Sequence, residues 1–160
     1  MLVDILPADL SSAIHTDAIL DLLNDYASGL SGGGTPLPLH VRTNLIPALQ
    51  KRPNALVLLG FADGEPAALA ICFEGFSTFA CRPLLNIHDF MVAQRFRGRG
   101  LGRQLLAAVE QSARERGCCK LTLEVLEGNT VARQLYTSFG FAGYTLDPAM
   151  GSAQFWQKTL

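Results

Sequence analysis

The sequence predicts a single domain of the α/β (α+β) class over residues 1–160, on three observations. At 160 residues the chain has the size of one domain and is long enough to bury a core. Apolar residues make up 49% and charged residues 17%, which argues against intrinsic disorder. The central part alternates between strand-like and helix-like hydrophobic periods, and this order requires at least one parallel pair of strands.

The first fifty residues predict one strand and two helices joined by a glycine- and proline-rich loop. Pro47 fits the second helix only if a turn or a new helix begins there. The loop, Ser31–Pro38, is either a lid at a pocket mouth or a tolerated surface insertion. The predicted elements are a strand over Val3–Leu6, a helix from Thr16 or Asp17 to Ser28, and a helix over Val41–Gln50.

From residue 55 onward the hydrophobic period is mostly two, which indicates strands. The dipeptide Asp63-Gly64 predicts a tight hairpin turn. One helix is predicted from Leu101 to Gly117, and a second is capped by Asn129 and stopped by Gly140. The predicted strands are Ala55–Ala62, Ala67–Glu74, Leu84–Val92, Lys120–Leu126, Phe141–Thr145 and Gln154–Leu160.

Charge and hydropathy exclude several classes of partner. The formal net charge is −1, which argues against a nucleic-acid protein with a broad basic face. The longest apolar stretch, Ala55–Phe73, is interrupted by the turn Asp63–Pro66, so it does not predict a membrane span. The first residues lack the basic and apolar regions of a signal peptide, and we expect a cytoplasmic protein.

The cysteines give no sign of a metal site. Their spacing contains no Cys-x-x-Cys pair and no histidines at metal-ligand distance. We expect reduced thiols that serve as small apolar side chains, and no bound metal. The four positions are Cys72, Cys81, Cys118 and Cys119.

The most informative segment, Gln94–Leu106, lies between a predicted strand and a predicted helix. It contains three glycines at alternate positions and four arginines, with no acidic residue. A glycine turn that opens a helix presents unpaired backbone amides and the positive end of the helix dipole. Such a turn suits a phosphate or a pyrophosphate. The residues are Gly98, Gly100, Gly102, Arg95, Arg97, Arg99 and Arg103.

Several phosphate-binding patterns compete for this turn. A dinucleotide fingerprint starting at Gly98 would need a glycine where Arg103 stands, and a P-loop would need Gly-Lys-Ser or Gly-Lys-Thr. A solvated Arg-Gly turn is a further alternative, and an RNA-binding box would need aromatic platforms. The pattern that fits in full is Arg97-x-x-Gly100-x-Gly102 after a strand that ends in Val92.

This pattern resembles the acyl-coenzyme A signature of the GNAT superfamily of N-acyltransferases. A second block strengthens the resemblance, since it follows the first at a distance of one helix and one strand. In that block the chain reads Asn129-x-x-Ala132-x-x-Leu135-Tyr136, followed by Gly140-Phe141. The two blocks span Leu84–Phe141, and the chain has the usual length of the family.

The resemblance implies a GNAT-like domain with a mixed, strongly twisted sheet of about six to seven strands and flanking helices. The fourth and fifth strands, here Leu84–Val92 and Lys120–Leu126, would splay apart and hold the acyl-pantetheine arm of acetyl-CoA, the co-substrate. The cofactor-binding residues would be Met91, Val92, Arg97, Gly98, Arg99, Gly100, Leu101, Gly102, Arg103, Asn129 and Tyr136.

The same resemblance implies acetyl transfer to a primary amine. The backbone amide of Val92 would hold the oxyanion, and Tyr136 would protonate the leaving thiolate, unless Tyr136 is a packing residue. His88 and Asp89 are the candidate bases, with Glu124 or a chain of waters as alternatives. Asp89 would point away from the face of His88 unless a β-bulge intervenes.

The acceptor is less constrained than the donor. Two acids stand at the positions of His88 and Asp89 in relatives that acetylate polyamines or lysine-like amines, so an amino-acid-like amine is as plausible as a polyamine. Its pocket would use Tyr26, His40, Arg42 and the glycine loop. The alternative function is a non-catalytic acyl-CoA sensor, and a homodimer through the last strand is possible.

Overall fold

The computed structural model describes residues 1–160, with the exception of the Ser31 side chain. It divides into two compact units, Met1–Leu123 and Glu124–Leu160, which are described one at a time.

The first unit contains a mixed sheet with strands in the order β1-β2-β3-β4-β5. Neighbouring strands are antiparallel from β1 to β4, whereas β5 runs parallel to β4. The strands are β1 (Val3–Pro7), β2 (Ala55–Ala62), β3 (Glu65–Ser77), β4 (Arg82–Val92) and β5 (Leu121–Leu123), and the helices are α1 (Ala13–Ser28), α2 (Leu39–Gln50) and α3 (Leu101–Glu115). The predicted α/β class and the parallel pair of strands are confirmed.

The core of this unit lies around β3, which is buried at every position from Ala67 to Cys72. A strand buried on both faces needs a layer on each side, and both α1 and α3 pack against β3. The helix α3 presents Leu101, Leu105 and Val109 to the core at helical spacing. This packing fixes the helix start next to the end of β4.

Three local features of the first unit differ from the prediction. The helix α1 begins at Ala13 rather than at Thr16 or Asp17. Ser12 is its N-cap residue, and Thr16 lies inside the helix, where its hydroxyl donates to the Ala13 carbonyl. The helix α2 continues through Pro47, at the cost of one backbone hydrogen bond. The strand β5 is shorter than Lys120–Leu126 because its ladder with β4 ends at Leu123.

The second unit contains the helix α4 (Thr130–Ser138) and a 3-10 turn at Pro148–Met150. The expected strands over Phe141–Thr145 and Gln154–Leu160 are wrong, since the described residues there carry no ladder. One backbone bond, from the Ala153 amide to the Tyr144 carbonyl, joins the two segments. Hydrophobic alternation alone does not predict a strand, because a strand also needs a hydrogen-bonded neighbour. The sheet therefore has five strands in the described residues instead of the expected six to seven.

The cysteines are free thiols spread over different environments. Cys72 is buried, and burial raises its pKa to about 12, so it stays protonated at neutral pH. Cys81 is exposed. Across the described part of the chain, no helix combines the length and the apolar character needed to cross a bilayer.

Candidate active site

The hydrogen-bonded pairing between strands β4 and β5 ends before β4 does. Their parallel pairing stops at Ile87 opposite Leu123, whereas β4 continues to Val92 and stays paired with β3 there, opposite Ala68. The edge of β4 from His88 to Val92 therefore lies past the last β5 pair. An extended ligand can add to such an edge as a strand does.

The backbone of Val92 faces this edge. The amide of the next residue, Ala93, points toward β3 and donates a 2.8 Å hydrogen bond to the Ala67 carbonyl. Because amides alternate along a strand, the N–H and C=O of Val92 point to the opposite side. The Val92 carbonyl accepts a 2.9 Å hydrogen bond from Nε of Arg97 on that side. The strand end is thereby tied to the turn that follows.

That turn delivers the chain to the start of α3. A 3-10 turn, Gln94–Phe96, buries the Phe96 ring and is followed by Gly98 and Gly100 with φ of 74° and 83°. A Cβ at either glycine would meet nothing within 4 Å, so the left-handed backbone rather than a lack of space favours glycine there. The glycine pattern therefore sets the direction of the chain.

The helix start that results has the features that favour a bound anion. Gly100 is the N-cap residue and has no side-chain oxygen, and the first turn contains no acidic residue. The backbone amides of Leu101 and Gly102 lie in this first turn, where amides have no carbonyl partner within the helix. Together with the helix dipole they favour a bound phosphate group.

The arginine side chains of the turn have different interaction partners. Arg95 makes a 2.8 Å ion pair with Glu65, and both side chains are exposed, so part of the expected positive field is compensated. The guanidinium groups of Arg95 and Arg99 lie 4.8 and 6.0 Å from the centre of the Phe96 ring. Arg97 is bound to the strand, and the Arg103 side chain is exposed.

A β-bulge at His88 reorients the candidate bases. Ile87 pairs with Cys72 and Asp89 pairs with Ile71, so His88 has no residue opposite it on β3. Ile71 and Cys72 are consecutive and point to opposite faces of the sheet. Their partners Asp89 and Ile87 therefore also point to opposite faces. In a regular strand these two residues would point to the same face, because they are two positions apart.

The bulge brings both candidate bases to one face. Phe73 pairs with Asn86 and lies two residues from Ile71, the partner of Asp89, so Asn86 and Asp89 share a face. The His88 ring contacts Phe73 edge-on, with centroids 5.6 Å apart. His88 and Asp89 therefore lie on the same side of β4, which the regular alternation of a strand does not predict.

The charge of Asp89 also acts on a residue of α1. Burial raises the pKa of Asp89, and the nearby His88 opposes that shift in part. Burial also raises the pKa of Tyr26, on α1, and the negative charge of Asp89 adds to the effect. Tyr26 and Asp89 are thus half-buried groups within electrostatic range of each other, whereas the His88 side chain is exposed.

A groove of about 520 Å³ runs beside α1 and the end of β4. It has two carboxylates on its helical wall, Asp21 and Asp25, which the sequence analysis missed. Their spacing of four residues on a predicted helix was the available signal. Leu22, Asn24, Pro66, Ala93, Gln94 and Arg95 complete the lining.

The other predicted acceptor residues lie on α2 and in the glycine loop. His40 and Arg42 are in the first turn of α2 with exposed side chains. The glycine loop is bonded to the end of α1, since the amides of Gly34 and Thr35 both donate to the Ala27 carbonyl.

In the second unit, Asn129 and Tyr136 lie at the two ends of α4. Asn129 is the N-cap, and its side chain accepts a 3.2 Å bond from the Ala132 amide, as predicted. Tyr136 is buried, with its ring 5.8 Å from that of Phe141. Glu124, the alternative base, follows the end of β5 in the chain and is exposed. Within the residues described, no three His, Cys, Asp or Glu side chains converge as metal ligands.

Comparison with known proteins identifies the family. The model of the acetyltransferase (GNAT) family matches residues 17–141, which is most of the chain. This protein therefore belongs to the GNAT family of acetyltransferases. The match includes α1, the end of β4, the glycine turn and α4.

Two similar curated proteins carry named activities. The streptothricin acetyltransferase of Streptomyces lavendulae is 40% identical over 89 residues, covering 56% of this chain and 45% of that protein. The thialysine N-epsilon-acetyltransferase of Bos taurus is 32% identical over 84 residues, covering 49% of each. The chain thus matches about half the length of these relatives.

Solved structures of low sequence identity share the fold. AAC(6')-Iy, in complex with the bisubstrate analogue CoA-S-monomethyl-acetylneamine, aligns with a TM-score of 0.76 over 100% of both chains at 18% identity. A ribosomal-protein-alanine N-acetyltransferase from Brucella melitensis biovar Abortus 2308 aligns with a TM-score of 0.68 over 99% of this chain and 98% of that one, at 19% identity. At such identity the likeness shows the fold alone.

Proposed function

We propose that residues 1–160 form one N-acetyltransferase domain that transfers the acetyl group of acetyl-CoA to a primary amine of a small molecule. The observation that carries this proposal is the arrangement of Val92 and Arg97. The strand end at Val92 lies past the β5 ladder and is bonded through Arg97 to the glycine turn that opens α3.

Acetyl-CoA would bind along this arrangement. The pantetheine arm pairs with the β4 edge at Met91 and Val92, as an added strand. The pyrophosphate binds the backbone amides of the turn and the first residues of α3, where the helix dipole supports its charge. The arginines of the turn attract the anionic cofactor. The turn residues proposed for this role run from Arg97 to Arg103, and Asn129 and Tyr136 of α4 complete the set by family resemblance.

The chemistry begins with the acceptor, which is an ammonium ion at neutral pH. Asp89 takes one proton from it, and its raised pKa makes the carboxylate a stronger proton acceptor than an exposed aspartate. His88, adjacent on the same face, is the alternative base. The neutral amine then attacks the thioester carbonyl carbon and forms a tetrahedral oxyanion.

The intermediate is resolved by loss of the thiol. The amide of Val92 donates to the oxyanion, which is a role for a fixed backbone dipole. The C–S bond breaks, coenzyme A leaves as a thiolate, and Tyr136 supplies its proton. The amine nitrogen now carries two protons and loses one of them, which returns through water to the Tyr136 phenolate. The product is the acetamide, and Asp89 releases the proton that it took to the solvent.

The acceptor is proposed to be a small molecule. The similar proteins are named for streptothricin, for thialysine and, in Salmonella typhimurium, for aminoglycosides. Asp21 and Asp25 in the groove beside α1 provide negative charge that suits a cationic acceptor of this kind.

The proposal is tested by following thiol release from acetyl-CoA with a panel of amines that includes lysine, putrescine and aminoglycosides. We expect thiol release that depends on at least one amine, with the acetamide detected by mass spectrometry. Binding of acetyl-CoA without release in the presence of any amine would favour the acyl-CoA sensor instead.

A further inference from the structure

We propose that the side chains of Asn86 and Thr122 form a bridge at the narrow end of the split between β4 and β5, and that this bridge restricts the acyl donor to short acyl groups. The split is the space beside the open edge of β4 from His88 to Val92, past the last pair with β5. This inference rests on the proposed function, and it makes Asn86 and Thr122 positioning residues that select the donor.

The bridge consists of two hydrogen bonds from one amide group. Nδ2 of Asn86 donates to Oγ1 of Thr122 at 3.0 Å and to the Thr122 carbonyl oxygen at 3.4 Å. The two residues are paired in the parallel ladder, and both are half-buried. A hydrogen bond that is partly shielded from water is electrostatically stronger than one on the open surface.

The bridge lies where the two strands separate. Asn86 and Thr122 form the last ladder pair but one, and Ile87 and Leu123 form the last. Because β5 has three residues, few backbone bonds hold it to β4. The side-chain bridge therefore adds to a small number of contacts that keep the strands together at the narrow end of the split.

Different contacts fix the other end of β5. The Cys119 amide, just before the strand, donates a 2.8 Å hydrogen bond to the Pro83 carbonyl. The Arg82 guanidinium donates a 2.9 Å bond to the Gly117 carbonyl. Loss of the bridge should therefore loosen β5 at the split without detaching it from the sheet.

The split has to widen from the last ladder pair toward the end of β4. Neighbouring strands are about 4.8 Å apart, and an arm added between two strands needs about 9.6 Å. The first spacing applies at Ile87, and the second applies at Met91 and Val92, where the arm is proposed to pair. A chain between the strands can therefore extend toward Ile87 only as far as the split is wide enough.

The proposed donor enters the split from its wide end. With the pyrophosphate at the turn after Val92, the arm runs back along β4 with the acyl group foremost. Each added methylene extends the acyl group toward the narrow end, where the bridge keeps the strands together. One methylene in a closely fitting pocket changes specificity by about tenfold or more, so the place where the strands separate selects the acyl group.

The bridge can be removed from either side. Thr122→Val removes the hydroxyl that accepts the 3.0 Å bond and keeps the branched shape, whereas Thr122→Ser keeps the hydroxyl. Asn86→Ala removes the donor. Asn54→Ala is the matched control, because Nδ2 of Asn54 donates a 3.1 Å bond to the Glu74 carbonyl of β3, away from the split.

The experiment measures kcat/KM with acetyl-CoA, propionyl-CoA and butyryl-CoA in the wild type, the four single variants and the double variant of Asn86→Ala and Thr122→Val. The acceptor is always the amine that the wild type acetylates best, so effects on the acceptor side cancel in the ratio of two donors. Thermal unfolding shows which variants are folded. Hydrogen exchange of the β5 amides reports how often β5 separates from β4.

We expect the wild type to prefer acetyl-CoA to butyryl-CoA by about tenfold or more. Thr122→Val and Asn86→Ala should lower this preference by about threefold or more and accelerate exchange in β5, since each loses the bridge. Thr122→Ser and Asn54→Ala should keep the preference within about twofold of the wild type. The double variant should match the single variants, because both substitutions remove the same contact.

Four results would overturn the inference and leave the proposed function intact. They are a wild type that uses butyryl-CoA as well as acetyl-CoA, an unchanged donor preference in folded Thr122→Val, an equal change in Asn54→Ala, and effects of the two bridge substitutions that add in the double variant. A wild type that transfers no acyl group from any of the three donors would refute the proposed function itself, and the inference with it.

Discussion

Nε of Arg97 donates a 2.9 Å hydrogen bond to the carbonyl oxygen of Val92. This contact joins the last residue of β4 to the turn that opens α3. It links the two parts of the proposed donor site, which are the strand edge for pantetheine and the helix start for pyrophosphate. The arginine of the glycine motif thus has a structural partner in addition to any role as a charge.

Replacing Arg97 by alanine should weaken acetyl-CoA binding. The variant loses both the bond to the Val92 carbonyl and a positive charge beside the pyrophosphate site, and we expect about a tenfold higher Kd. Isothermal titration calorimetry provides the measurement. Arg114→Ala removes an exposed arginine near the other end of α3 and is the charge-matched control. Equal affinities of the two variants would contradict the role given to Arg97.

Gly100→Ala should lower the affinity for acetyl-CoA by more than its loss of stability explains. An alanine at φ of 83° costs about 1 kcal/mol of backbone strain, and its methyl group projects at the helix start. Gly117→Ala imposes similar strain, at φ of 70°, beyond the opposite end of α3. We expect comparable losses of stability in urea unfolding, with acetyl-CoA affinity reduced only in Gly100→Ala. Reduced affinity in both variants would mean that the effect is global.

Asp89 should make the stability depend on pH in a definite direction. Its raised pKa means that the folded protein binds this proton more tightly than the unfolded chain, whose value is near 3.8. The contribution of Asp89 to the free energy of unfolding is therefore greatest at low pH, and it falls as the pH rises through the interval between the two values.

Asp89→Asn removes this dependence. We expect the free energy of unfolding of the variant, minus that of the wild type, to increase between about pH 4 and pH 7. Urea unfolding of both proteins at each pH measures the difference, so that the other titrating groups cancel. A difference that is constant or that decreases would show that Asp89 is not protonated more easily in the fold. In the absence of urea, the turnover of the amine by Asp89→Asn should be lower than that of the wild type.

Tyr136→Phe should reduce turnover without reducing cofactor affinity. The variant keeps the buried ring and removes only the hydroxyl that would protonate the thiolate. We expect kcat to fall by about tenfold or more with an unchanged Kd for acetyl-CoA. Tyr144→Phe, an exposed tyrosine of the same unit, serves as the control. Unchanged turnover would assign Tyr136 to packing.

Local signals predicted the conformation of the glycine turn and of the start of α4. The glycines of the turn adopt left-handed backbone at Gly98 and Gly100, and Asn129 caps α4, because each conformation is set by a few adjacent residues. The family match over residues 17–141 confirms the family that these motifs indicated.

Features that depend on distant partners were not predictable from the sequence. The bulge at His88 follows from the register of β4 on β3, and periodicity along one strand contains no information on that register. The segments Phe141–Thr145 and Gln154–Leu160 have strand-like composition without a ladder. The hydrogen bonds from Gly34 and Thr35 to the Ala27 carbonyl likewise depend on how the loop returns to α1.

The central claim is that the turn after Val92 binds acetyl-CoA. Calorimetric titration of the purified protein with acetyl-CoA, with NAD and ATP as controls, tests it most directly. The account predicts saturable binding of acetyl-CoA with a Kd on the order of micromolar, and much weaker binding of NAD and ATP. A folded protein that fails to bind acetyl-CoA, or that binds NAD or ATP more tightly, would contradict it.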